Sequence, residues 1–295
     1  MICKICGSEN NKRIYCGLIR DGGLGKYTID KVAIYQCNTC KVIWHDNQIQ
    51  NVKHYYESTE YRNTLEGGSE ENLFYALHDK ETLDKLTYTG TDIYRDKIVA
   101  DIGCGCGAFL DFLNGVAQKI VAVEPSETYR RIMSEKGFST YAYTDSAIHD
   151  YSTQVDVVTS FDVIEHVEYP KKFLTDIFGL LKTGGKAFVG TPTDAPIMRK
   201  LLGDIYEKKL LYSTQHLWIF SEESLRILSK DIGFSKINFK YYQRYGFGNM
   251  IGWVKDKKPG TAIQENFITD TLDCLWKSQC VDQKLSDYIV LELEK

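Results

Sequence analysis

Three short stretches combine residue types and spacings that could do chemistry. In VADIGCGCGAF, Val99 to Phe109, an acid at Asp101 precedes glycines at Gly103, Gly105 and Gly107. Alternating glycines let the backbone-hugging part of a nucleotide-type ligand approach the end of a strand. A carboxylate two residues before the first glycine would face a cationic amino group and repel a pyrophosphate. The spacing is Gly-x-Gly-x-Gly rather than the Gly-x-Gly-x-x-Gly of a dinucleotide site. Glu124, about 20 residues further on, stands where an acid accepts hydrogen bonds from both hydroxyls of a ribose. In FDVIEHV, Asp162, Glu165 and His166 are spaced i, i+3 and i+4, so a helical turn would gather them on one face. An imidazole there could take a proton from a hydroxyl or amine, with Glu165 assisting. The third stretch is split: Cys3-x-x-Cys6 and Cys37-x-x-Cys40 form two knuckles whose four thiolates suit tetrahedral zinc. With every coordination position filled, that zinc is expected to be structural. Cys16 and His45 are read as packing.

The elements that must hold these residues follow from hydrophobic patterning. Ile98 to Ile102 and Ile120 to Val123 read as strands buried on both faces of a parallel sheet, as do Ser139 to Tyr143, Val155 to Ser160 and Lys186 to Gly190. Helices are expected from Ala108, over Ser126 to Lys136 with a stop at Gly137, over Pro170 to Leu181 with a stop at Thr183-Gly184-Gly185, and from Ser221 to Gly233. Two late strands, Ile237 to Tyr242 and Tyr288 to Leu293, would close the sheet, with a helix from Ile268 to Cys280 between them. The expected organisation is a zinc unit over 1–46, a helical connection and lid over 47–92, and an α/β domain over 93–295. That domain would carry insertions at about 194–214 and 244–286.

The chain has 295 residues, a formal net charge of −4 and nine cysteines. Mild acidity argues against a broad polyanion-binding surface, and so against a nucleic-acid partner. No apolar run approaches the roughly 18 residues of a membrane span, and MICKICGSEN lacks a signal peptide's apolar core. An odd cysteine count in paired Cys-x-x-Cys spacing points to a reducing compartment, so a cytoplasmic location is expected and no membrane partner.

Over roughly Asp92 to Phe234 the sequence resembles the class I S-adenosylmethionine (SAM) methyltransferases: VADIGCGCGAF matches their first motif and VAVEPSE their second. The resemblance implies a Rossmann-like, seven-stranded α/β sheet, SAM as cofactor and S-adenosylhomocysteine as product. It implies a cofactor site built from Asp101, Gly103, Gly105, Gly107, Phe109, Glu124, Pro125, Phe161 and Asp162, with Asp145 near the adenine amino group. The segment YYESTEYR, before the first motif, would be a lid in which Tyr61 and Arg62 meet the carboxylate end of SAM or the substrate; packing on the zinc unit accounts for them equally.

Glu-His is common at Glu165-His166 in this family. Asp162-x-x-Glu165-His166 with the later His216 also resembles the metal motif of the ubiquinone-pathway O-methyltransferases and of small-RNA 2'-O-methyltransferases, although Asp162 stands where those have Glu. Three readings stay open for these residues: acid/base work by His166, Glu165 and His216, a Mg²⁺ held against substrate oxygens, and a structural role. The resemblance favours O-methylation of a small polar acceptor, a sugar, nucleotide-sugar or phosphorylated metabolite of surface-polysaccharide or secondary-metabolite synthesis. Tyr245, Phe247, Asn249 and Trp253 would furnish walls of a substrate lid. The alternatives are metal-assisted methylation of a diol, catechol or RNA ribose, and a non-catalytic SAM-binding interaction protein. The oligomeric state is not legible.

Overall fold

The computed structural model describes residues 2–45, 52–58, 60–260, 262–263 and 265–295. Residues 46–51, where the expected zinc unit gives way to the helical connection, lie outside these. The chain opens with β1 (Asn11–Gly17), β2 (Val32–Cys37) and β3 (Ile43–His45), then α1 (Val52–Glu57), α2 (Glu60–Glu66), α3 (Glu71–His78) and α4 (Glu81–Thr89). A strand-helix alternation follows: β4 (Ile98–Ile102), α5 (Ala108–Leu113), β5 (Lys119–Val123), α6 (Glu127–Glu135), β6 (Ser139–Tyr141), α7 (Thr144–Tyr151), β7 (Val155–Phe161), α8 (Pro170–Leu180) and β8 (Leu181–Pro192). After it come α9 (Pro196–Leu202), the short α10 (Asp204–Tyr206) running into a π-helical turn at Glu207–Leu211, β9 (Trp218–Ile219) and α11 (Glu222–Ile232). The chain ends with β10 (Lys236–Tyr242), α12 (Phe247–Asp256), α13 (Asp270–Asp282) and β11 (Tyr288–Glu294).

Seven strands form one mixed sheet in the order β10-β11-β8-β7-β4-β5-β6. The pairs β4–β5, β5–β6, β4–β7 and β7–β8 are parallel. This is the expected α/β Rossmann-like arrangement. Its central strands are apolar because both faces are covered: Val99, Ala100, Val121, Ala122, Val155 and Val158 have no exposed surface. Chain order runs outward from β4 in both directions, first to β5 and β6 and then to β7. In such sheets ligands bind outside the carboxyl ends at that reversal.

The chain divides into two compact units. One comprises Gln50–Gly190, Arg226–Asn238 and Leu291–Lys295; the other comprises Met1–Ile49, Thr191–Leu225 and Phe239–Val290. In the latter, β1, β2, β3 and β9 make an antiparallel sheet, with Ile43 opposite Ile219 and Trp44 opposite Trp218. Ile19, Val32, Ile34 and Ile43 share one apolar core with Met198, Tyr206, Leu211, Tyr212 and Trp253. A segment of this size cannot bury an adequate core alone, and here residues more than 150 positions away supply it.

Local structure departs from the pattern reading at two places. β6 stops at Tyr141, short of the expected end at Tyr143, and α7 begins at Thr144, where no helix was expected. Its buried stripe is Thr144, Ala147 and Tyr151, too sparse in large apolar residues to declare a helix. Thr183-Gly184-Gly185, read as a helix stop, lies inside β8, which starts directly after α8. A Cβ on Gly185 would sit 2.9, 3.0 and 3.2 Å from the carbonyl oxygens of Lys182, Val155 and Asp156, so backbone of β8 and β7 closes on a point where only hydrogen fits. Gly185→Ala is therefore expected to lower unfolding stability by about 1–3 kcal/mol, measured by denaturant titration.

Candidate active site

Within the unit that contains β4, a cleft of about 540 Å³ opens at the carboxyl ends of β4, β5 and β7. That volume falls within the range of small-molecule and cofactor sites. The turn after β4 forms its floor. Gly103, Gly105 and Gly107 have φ of +77°, +57° and +81°, a left-handed conformation that a side chain resists. A Cβ on Gly105 would also collide with the ring of Phe74.

Glu124, at the end of β5, ties this turn to the next one. Its Oε2 accepts the Gly105 N–H at 3.0 Å and its Oε1 accepts the Ser126 N–H at 2.9 Å. Burial pushes the carboxyl up, and the Ser126 N–H, the Arg62 charge and the Gly105 N–H pull against it. A carboxylate has about four lone-pair directions, so two remain for a ligand while the backbone orients the group. Pro125 and Ser126 continue the wall, followed by Tyr129 of α6 and by Tyr143 and Thr144 at the start of α7.

Asp162 lies one residue beyond β7 with φ +56°, a conformation that Asp tolerates better than most residues. His166 follows, its side chain 11% exposed, with Nε2 3.8 Å from Oε1 of the buried Glu165. Tyr56 Oη lies 3.1 Å from His166 Nδ1, a hydrogen bond whose direction follows the imidazole tautomer. Burial, then the neighbouring Tyr61, Tyr55 and Glu165, hold the Tyr56 phenol well above its ordinary range. Tyr61 is raised to about 12, also chiefly by burial. Both phenols remain protonated at neutral pH.

Arg62 lines the cleft from α2. Its guanidinium pairs with Glu66 and lies over the rings of Tyr61, Phe74 and Tyr129 at 5.1, 5.0 and 6.0 Å. Cation–π contact at such distances holds the head without consuming all its donors. Glu66 is braced in turn by His78 Nε2 at 3.0 Å, and His78 Nδ1 meets Glu81 at 2.9 Å.

Of the residues expected from sequence, Gly103, Glu124, Pro125, Asp162, Tyr61, Arg62 and His166 line the cleft. Gly105 and Gly107 shape the turn. Asp101, Phe109 and Phe161 are buried behind the wall. Asp145 is exposed, its Oδ1 accepting the Ser146 N–H at 2.7 Å, one position past the wall that Tyr143 and Thr144 form. His216 belongs to the other unit; there its N–H donates to Ser213 Oγ at 3.2 Å and its carbonyl oxygen faces His45 Nε2 at 3.0 Å. The reading by motif missed Tyr56, Ser126, Tyr129, Tyr143 and Thr144. Ser126 and Thr144 stand at strand-to-helix turns, a signal that could have found them.

The four cysteines converge as their spacing requires. Their sulfurs all lie within 4.8 Å of one another, with Cys3–Cys40 at 3.7 Å and Cys6–Cys37 at 3.6 Å. Four sulfurs at about 2.3 Å from one zinc would be about 3.8 Å apart, so the donor set fits a tetrahedral ion. Each knuckle turns over at the residue after its second cysteine, Gly7 at φ +72° and Lys41 at φ +62°. The Cys40 N–H points at Cys37 Sγ, 3.4 Å away.

The family described as "Methyltransferase domain" matches residues 71–238. The "Ubiquinone biosynthesis O-methyltransferase" of Nitrosococcus oceani is 28% identical over 157 residues, 50% of this chain and 66% of that protein. The mitochondrial protein of the same name from Schizosaccharomyces pombe is 25% identical over 207 residues, 67% of this chain and 69% of its own. The chain thus spans slightly less than two thirds of the Nitrosococcus relative's length. A SAM-dependent methyltransferase structure from Archaeoglobus fulgidus superposes with a TM-score of 0.50 at 16% identity, covering 75% of this chain and 94% of that one, which establishes the shared fold.

The brace behind Arg62 is pH-dependent. Burial pulls the His78 imidazole down, but its bonds to Glu66 and Glu81 outweigh this and raise it above 6.5. Its contribution is therefore full below about pH 6.5 and fades as pH rises through the raised value. His78→Gln is expected to cost about 0.5–1.5 kcal/mol at pH 6 and less at pH 8.5, read from denaturant unfolding at both.

Proposed function

From the premise that this chain belongs to the methyltransferase-domain family, we propose that it transfers the methyl group of SAM to a hydroxyl of a small polar acceptor. The observation that carries this reading is Glu124, held by two backbone N–H groups at the end of β5 with lone pairs left for the two hydroxyls of a ribose. The cofactor supplies an electrophilic sulfonium methyl when bound. Arg62, a cation within the cleft, would take the cofactor's carboxylate, and Tyr129, Tyr143 and Thr144 would enclose its base.

The chain's own chemical task is then to align a hydroxyl and remove one proton. His166 is the group for it: Tyr56 fixes the ring through Nδ1, and Glu165 at 3.8 Å stabilises the imidazolium that forms. Relatives named for O-methylation support oxygen as the accepting atom, although their names point to an acceptor other than a sugar. Cys3, Cys6, Cys37 and Cys40 would hold a structural zinc that closes the turns before β1 and after β2.

Calorimetry with SAM and a methyl-transfer screen over hydroxyl acceptors test the reading. Glu124→Ala is expected to weaken SAM about tenfold or more, as two hydrogen bonds are lost. His166→Ala should lower kcat by roughly 10²–10⁴-fold with SAM affinity nearly intact. Unchanged affinity in the first variant, or equal loss of SAM binding in the second, would overturn the assignments. One zinc per chain is expected, lost in Cys37→Ser; a full complement in that variant would refute the four-thiolate site.

A further inference from the structure

Asp101 was expected to face the cofactor, yet it is withdrawn from the cleft. The residue is 2% exposed, one position before the carboxyl end of β4; its Oδ1 accepts the Thr159 hydroxyl at 2.7 Å, while its Oδ2 has no hydrogen-bond partner among the described residues. A buried carboxylate oxygen left this way is costly unless a counter-charge is near. Thr159 is the register partner of Asp101 on β7, and Phe161, two residues on, lies on the same face of that strand. Over Phe161 sits the ammonium of Lys85, 5.7 Å from the ring centroid and 5.6 Å from that of Phe109 on α5. Lys85 reaches there from α4, whose Tyr88, three residues on, packs its ring 5.9 Å from the same Phe161. Two aromatic rings thus hold one cation beside Phe161, on the strand face that carries Thr159, the register partner of Asp101.

We propose that Lys85 is the counter-ion that keeps Asp101 charged beneath the glycine turn, which makes it a positioning residue for the cofactor site contributed by the helical segment before β4. Burial pushes the Asp101 carboxyl up, and the Lys85 charge and the Thr159 hydroxyl pull it back; the neighbouring Tyr94 and Cys104 are themselves raised by burial and so neutral. Glu81, one turn before Lys85 on α4, is bonded by His78 at 2.9 Å and also feels the Lys85 charge, so Lys85 acts on two carboxylates. An ionised Asp101 offsets the Lys85 charge, so no net positive charge lies below a turn that must receive a cationic ligand. It also fastens α4 to the sheet, so the lid helices and the glycine turn share one electrostatic tie. The link to the cofactor rests on the methyl-transfer reading above; the pairing itself does not.

Both parts are tested on the full chain. Thermal unfolding without ligand is compared for wild type, Lys85→Met, Asp101→Asn and the double variant between pH 5 and pH 8. Without its counter-ion the buried carboxyl is raised further above its unfolded value, so the deficit of Lys85→Met should grow as pH rises. It should shrink to near zero when Asp101 is already Asn. A deficit independent of pH, or undiminished in the Asp101→Asn background, would mean that Lys85 only packs and would overturn the pairing. SAM affinity is expected to fall about tenfold in Lys85→Met and to recover in Lys85→Arg. Unchanged affinity overturns the link to the cofactor site. If wild type binds no SAM, the methyl-transfer reading fails and takes that link with it, while the ligand-free comparison still decides the pairing.

Discussion

The two backbone hydrogen bonds to Glu124 are the constraint on which the site depends. One fixes the turn after β4 and the other the turn after β5, so a single carboxylate sets the spacing of the cleft's floor and wall. Its orientation is decided before any ligand arrives. The left-handed glycines are needed because the loop must curl back to offer the Gly105 N–H, and a Cβ there would strike Phe74 of α3. The parallel pairing of β4 with β5, in register from Ile98–Lys119 to Ile102–Val123, brings these two turns side by side.

Around that fixed floor the cleft is lined by aromatic and charged groups that brace one another. Arg62 is held by Glu66, Glu66 by His78, and His78 by Glu81, so a largely buried cation keeps its head in place through a chain of ion pairs across three helices. Tyr56 and His166 make a second pair, in which a phenol kept protonated by burial orients an imidazole. Preorganisation of this kind lets groups act without rearranging when charge develops. It is also what a methyl transfer would need, since the displacement itself requires only alignment and one proton acceptor.

The two compact units solve different physical problems. The unit with the parallel strands buries long apolar runs on both faces of a sheet. The one with the cysteines gathers a short β-sheet from the start of the chain and completes its core with Met198, Tyr206 and Trp253 from far along it. A four-thiolate centre would add local order where β1 and β2 meet their knuckles, and the remote apolar residues supply the rest.

Motif residues and strand runs are local signals, and they were legible. Gly-x-Gly-x-Gly after an apolar run, Glu124 after the next, and paired Cys-x-x-Cys specify their neighbourhoods because the chemistry depends on residues a few positions apart. That these strands pair in parallel was implied by the same alternation; their order across the sheet is set by the packing. What tertiary structure alone decided is which groups face the cleft. Asp101 and Thr159 are 58 positions apart and meet only through the pairing of β4 with β7, which turns the expected ligand-facing acid inward. Tyr56 meets His166 across 110 positions, and no periodicity in YYESTEYR singles out that tyrosine from Tyr55 or Tyr61. Spacing along a strand or helix determines which side a residue takes; only the packing of separate elements determines what it finds there.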